Sequence, residues 1–144
     1  MSNDIALMRE ITRLQNQIDA LRTIQQGWQP VFLTTPLTST SYDGNDTVAV
    51  GAVTIDTSAV FGAPAGIKAV SIFSRAKWAS ATMSSYLLVR SVGATRYCDI
   101  MYARDTNHQT MSTIIPCDAN GDFDVVVANA NALEVILEIH GYWK

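Results

Sequence analysis

The composition of this chain breaks sharply near Gly27, and that break limits its fold more than any other feature. Before it lie helix-forming residues with no Pro or Gly. After it Val, Ile, Thr, Tyr and Phe dominate, punctuated by Gly, Pro, Asn and Asp. Such a change marks a helix joined to a β domain. The expected division is residues 1–27 as a helical segment and 28–144 as a β-sandwich head.

In the first segment Leu7, Ile11, Leu14, Ile18 and Leu21 follow a 4-3-4-3 spacing, and Gln25 and Trp28 continue it. Ile11, Ile18 and Gln25 fall at a, with Leu7, Leu14 and Leu21 at d, which is a heptad seam. Ser2 or Asn3 would cap the helix, and Asp4 and Glu10 lie towards its positive end. Arg9, Arg13, Asn16, Asp19 and Thr23 point away from the seam. An amphipathic helix lying on its own head would carry a wider apolar face. The narrow seam therefore points to a parallel coiled coil and a homo-oligomer. About three heptads are marginal alone, so the heads must also touch. Ile at a with Leu at d favours a dimer, whereas the polar Gln25 pulls towards a trimer.

Beyond the break, short β-rich runs are predicted at 31–35, 47–55, 67–78, 85–92, 96–104, 110–116, 123–128 and 133–142, with no convincing helix between them. Eight strands at this spacing indicate an antiparallel sandwich or jelly roll. Leu133, Val135, Leu137 and Ile139 would share one face of the last strand, with Glu134, Glu138 and His140 opposite. The run from Ile67 to Phe73 is apolar on both faces, which places its strand centrally or against another subunit. Asp43-Gly44, Gly93-Ala94 and Asn120-Gly121 read as hairpin turns. No internal repeat appears.

Charge and cysteine content narrow the function. A net charge of −3 leaves no basic stripe for phosphates, so nucleic acid is not an expected partner. No apolar run reaches the ~20 residues of a membrane helix. The first residues lack the basic and apolar pattern of a secretory signal, so folding in a cytoplasm is expected. Cys98 and Cys117 have no CxxC or His partner at metal-ligand spacing and read as half-buried thiols.

The catalytic inventory is thin. His108 and His140 are the near-neutral bases; no Gly-x-Ser-x-Gly elbow, P-loop or HExxH occurs. No enzyme activity and no cofactor are expected. Asp118, Asn120, Asp122 and Asp124 surround a Gly turn as a weak calcium candidate, against a plain hairpin with its acids in water. Amphipathic rings suit both cores and recognition surfaces. From them Tyr42, Trp78, Tyr86 and Tyr102, with His108, are the candidate ligand-binding residues. Tyr142 and Trp143, at the end of the last strand, would cover the core edge or a subunit interface. The polar loops 38–46, 79–84 and 104–110 look like recognition loops on a rigid scaffold.

The stretch Ile55-Asp56-Thr57-Ser58, then Ala63-Pro64-Ala65-Gly66-Ile67-Lys68-Ala69-Val70, and the ending Leu133-Glu134-Val135-Ile136-Leu137-Glu138-Ile139-His140-Gly141-Tyr142-Trp143 resemble small jelly-roll domains. Such domains stand at the C-termini of bacteriophage tail fibres and other phage surface proteins. The resemblance covers most of 50–143, and its motifs encode turns and a closing strand rather than chemistry. It implies a non-enzymatic virion protein: a short trimeric tail fibre or receptor-binding tip, its helix joined to other virion proteins and its head meeting host surface glycan or protein. No long shaft is present, which keeps open a capsid decoration, cement or head-fibre protein. A hydrolase on a jelly-roll scaffold is the distant alternative.

Overall fold

The computed structural model describes residues 2–25, 27–44, 50–80, 82–129 and 132–144, with the side chains at 2, 3, 20–25, 132 and 133 outside that description. Helix α1 spans Ser2–Gln25. Eight strands follow: β1 Pro30–Leu37, β2 Gly51–Asp56, β3 Ala69–Trp78, β4 Tyr86–Ser91, β5 Asp99–Tyr102, β6 Gln109–Pro116, β7 Asp122–Ala128 and β8 Ala132–Trp143.

The strands form two four-stranded antiparallel sheets, ordered β1-β8-β3-β6 and β2-β7-β4-β5. Strand 1 pairs with 8, 2 with 7, 3 with 6 and 4 with 5. The chain thus runs out and back as one long antiparallel ribbon, with its tip at the β4–β5 connection. Rolling that ribbon creates the additional ladders β3–β8 and β4–β7. This is the topology of a jelly roll.

Alternation drives the roll. Along β3, Val70, Ile72, Ser74, Ala76 and Trp78 are buried while the residues between them are half-exposed, apart from Ala69 at the start. Val135, Leu137 and Ile139 of β8 and Phe123, Val125 and Val127 of β7 face the same interior. Each such side chain contributes about 1.5–3 kcal/mol by leaving water. The expected faces of β8 are found, and the Leu133 side chain lies outside the described residues. β3 is central, as its two apolar faces predicted.

Three expectations are corrected. Only Gly93-Ala94 lies in a hairpin, the one joining β4 to β5. Asn120-Gly121 joins β6 to β7, which belong to different sheets, and Asp43-Gly44 follows a 3-10 turn at Thr40–Tyr42 instead of joining paired strands. Turn dipeptides supply positive φ, but they do not say which sheet comes next. Of the strand expected at 47–55, residues 47–49 lie outside the described residues and β2 is found from Gly51, while that expected at 96–104 shortens to Asp99–Tyr102. A helix also interrupts the head: α2, Thr57–Phe61. Its cap is Asp56, whose Oδ1 accepts the N–H groups of Ser58 (3.0 Å) and Ala59 (2.9 Å). The Ala59 N–H, followed by the Ser58 hydroxyl at 2.7 Å, holds the Asp56 carboxyl below its ordinary range.

α2 is tied to the β6–β7 turn, because the buried Thr57 hydroxyl donates to the Gly121 carbonyl at 2.7 Å. Gly121 has φ +94°, and a Cβ there would sit 3.2 Å from both Ile67 N and Ile67 Cγ1. Backbone strain and contact therefore add. Gly93, at φ +68°, has open space around it. Urea denaturation should show Gly121→Ala losing about 2 kcal/mol or more, and Gly93→Ala only the ~1 kcal/mol of left-handed strain. Equal losses would refute the packing argument.

Candidate functional site

Where the two sheets part, the edge strands β5 and β6 leave a cleft of ≈ 630 Å³. The connection 103–108 crosses between the sheets at this edge. Ala103 is buried, and its N–H donates to the Ser85 carbonyl at 2.9 Å, anchoring the start of the connection. Asp105 Oδ1 accepts the Asn107 N–H at 2.8 Å, a local turn of the kind Asp favours. With its amide oriented to satisfy its neighbours, Gln109 donates to the Tyr102 carbonyl and accepts the N–H groups of Arg104 (2.7 Å) and Asp105 (3.1 Å). One side chain thus holds both ends of the connection.

The cleft lining includes Asp99, Tyr102, Arg104, Asp105, His108 and Ser112. Tyr102 is opposite Tyr86 in the β4–β5 ladder, ring centroids 6.0 Å apart and tilted 68°, an edge-to-face pair. His108 Nε2 lies 2.7 Å from Glu134 Oε2, reaching past β3 to β8. Lys77 Nζ is 3.7 Å from the other Glu134 oxygen. The His108 hydrogen bond, followed by the charge of Lys77, holds the Glu134 carboxyl below its ordinary range. Guanidinium, carboxylates, hydroxyls and a ring therefore share one open groove, a set of donors and acceptors suited to a hydroxyl-rich ligand.

Three of the five candidate ligand residues, Tyr86, Tyr102 and His108, gather at this edge. The other two do not join them. Trp78 is fully buried, and Tyr42, 9 % exposed, stacks on Phe61 with centroids 6.4 Å apart. Burial pushes the Tyr42 phenol up. These rings belong to the core, so the expectation of surface rings there is corrected. Arg104, Asp105 and Gln109 lie in or beside a loop legible as a recognition loop. Glu134 was legible only as an outward residue of its strand.

The acidic turn does not converge. Asp118 Oδ1 accepts the N–H groups of Asn120 (2.9 Å) and Asp122 (3.0 Å). Asp124 instead takes the Thr54 hydroxyl (2.8 Å), the Gly93 N–H (3.0 Å) and Arg90 Nε (3.4 Å). Among the described residues no group of three or more His, Cys, Asp or Glu is placed to hold a metal. His140 is engaged by Glu138 at 3.0 Å.

On α1 the seam residues Leu7, Ile11, Leu14 and Ile18 are 44–61 % exposed, and Trp28 beyond it is 59 % exposed. Leu21 and Gln25 have side chains outside the described residues. Arg13 and Glu10 pair off the seam at 2.5 Å. Among the described helices none is long and apolar enough to cross a membrane.

No family model matches this chain, and no curated protein resembles it in sequence. Among solved structures it is similar to the PRD1 vertex protein P5, 20 % identical, covering 78 % of this chain and 98 % of that one with a TM-score of 0.44. It is also similar to the Tobacco streak virus coat protein dimer, at 11 % identity, 82 % and 84 % coverage and a TM-score of 0.39. A carbohydrate-binding module from Cellvibrio mixtus lichenase 5A in complex with cellotriose shows 13 % identity, 81 % and 87 % coverage and a TM-score of 0.36.

The Glu134 pairing and the burial of Cys117 are each testable. A depressed folded pKa makes the Glu134 contribution present at neutral pH and lost as pH falls through that lowered value. The small stability advantage of wild type over Glu134→Gln should therefore shrink on acidification below the ordinary carboxylate range. An advantage that grows there would contradict the pairing. Burial, then the charges of Asp118 and Asp122, push the Cys117 thiol up to about 12, whereas Cys98 is exposed. At pH 8 only ~1 in 10⁴ Cys117 side chains is thiolate. Iodoacetamide should label Cys98 first, and preferential labelling of Cys117 would overturn the assignment.

Proposed function

We propose that this chain is a non-enzymatic virion surface protein that assembles through α1 and binds a partner with its jelly-roll head. The observation that carries the reading is the row of exposed Leu and Ile along α1, apolar side chains that the described residues leave open to water. Unpartnered apolar stripes of this kind mark an interaction surface. A parallel three-stranded coil buries them and leaves Arg9, Arg13 and Asn16 in water.

The head supplies the binding half. β1 and β6 are opposite edges of one sheet, and the β5–β6 cleft lies at the edge farthest from the point where α1 joins β1. A stem on one side and a polar cleft on the other suit attachment to a host surface glycan. Each copy contributes one weak site, and assembly multiplies them by avidity. The resemblance of the closing strand to phage fibre heads supports a virion role, as a short fibre or receptor-binding tip.

Sedimentation of the full-length chain should give three times its 15.7 kDa mass, with Leu14→Glu shifting the population towards monomer. A single-chain mass at every concentration would refute the assembly. Wild-type protein should bind intact host cells, free polysaccharide should compete, and Tyr102→Ala or Arg104→Ala should weaken the binding. Binding to purified capsids alone would replace the receptor reading with a decoration protein.

A further inference from the structure

The outer face of the β1-β8-β3-β6 sheet is divided. At one end Arg75, Lys77 and Glu134 make it charged. At the other end two rows cross all four strands: Pro30–Trp143–Ala69–Pro116, and Phe32–Gly141–Ser71–Ile114. Neither row carries a charge. Phe32 is 79 % exposed, the most exposed of the large apolar residues described, and Ile114, two strands beyond Gly141, is 54 % exposed. A sheet face normally alternates towards polar side chains where it meets water. This end does not.

The apolar end is also where the stem enters. Gln29 N donates to Lys144 O at 3.2 Å and Lys144 N to Gln29 O at 3.1 Å, so the β1–β8 ladder is already formed at Gln29. Only residues 26–28 separate it from the end of α1, four residue steps that span at most about 14 Å. Trp28, in register with the helix seam, lies four residues before Phe32. Helices in a coil pack with axes about 8–10 Å apart. The ladders of neighbouring copies in a parallel coil therefore begin within about 40 Å of each other. A second copy of this face is tethered beside the patch at high effective concentration, which no free partner matches.

We infer that this end of the sheet, centred on Phe32 and Ile114, is the head-to-head contact between copies of the chain. The inference rests on the assembly through α1 proposed above and supplies the contact that a three-heptad coil lacks. The outer face of the second sheet also has an apolar row, Ala52–Val126–Leu88–Ile100. That row lies in the sheet that does not contain β1, so the stem does not lead onto it.

The test is analytical ultracentrifugation of full-length Phe32→Glu, Ile114→Glu, Ala52→Glu and Leu14→Glu proteins beside wild type, with near-ultraviolet circular dichroism to confirm folded heads. Both Phe32 and Ile114 are exposed, so neither change touches the core. The expected result is a dissociation constant raised about 30-fold or more by Phe32→Glu and by Ile114→Glu, with Ala52→Glu within about twofold of wild type. Wild-type affinity in both sheet-face variants, with Leu14→Glu dissociating, would overturn this contact and leave the helix assembly standing. Dissociation by Phe32→Glu with no effect of Leu14→Glu would support the face while removing the coil. Loss of assembly only in Ala52→Glu would place the contact on the other sheet and overturn the inference.

Discussion

The ladder between β3 and β8 is the constraint on which the rest of the molecule depends. It runs from Ala69↔Trp143 to Trp78↔Ala132 and is not a pairing of the flat ribbon, so it exists only once the ribbon has rolled. Closing it sets Val70, Ile72, Ala76 and Trp78 beside Val135, Leu137 and Ile139. Together they form half of the core against Phe123, Val125, Val127, Leu87 and Val89 of the second sheet. The same ladder fixes the end of β8, against which Gln29 and β1 pair. The position of the stem is therefore a consequence of how the head closes. Gly141 marks how closely β1 lies against that end, since a Cβ there would meet the Val31 carbonyl oxygen at 2.9 Å.

The sequence was most informative where a period repeats. The a/d spacing of α1, the alternation of β8 and the two-sided apolarity of β3 each follow from one residue type recurring at a fixed interval. Information fails where structure depends on a partner distant in the chain. Asn120-Gly121 provides the positive φ of a turn, yet whether that turn stays in one sheet is decided by the roll. α2 is five residues long, too short for a period, and is signalled only by Asp56 and Gly62 at its ends.

The candidate site shows the same division. Tyr102 and His108 are legible as residues of a polar edge, but the Glu134 that holds His108 comes from the last strand. Trp78 looked like a recognition ring by residue type. Its phase with Val70, Ile72 and Ala76 contained the correct reading, because period two puts all four on one face. Asp118, Asn120, Asp122 and Asp124 resemble a ligand set in one dimension. In three, Asp118 is occupied by backbone N–H groups and Asp124 by Thr54, Gly93 and Arg90.

A stem that gathers copies, a face that locks the heads and a cleft at the far edge form one proposed device. Its central claim is that α1 is buried against copies of itself. Hydrogen exchange along α1 in the full-length chain tests this most directly, because an isolated helix of 24 residues frays and exchanges readily in water. The account predicts slow exchange centred on Leu7–Ile18 that is lost on dilution through the assembly's dissociation range. Fast exchange along α1 at every concentration, with the β3–β8 amides still protected, would contradict it.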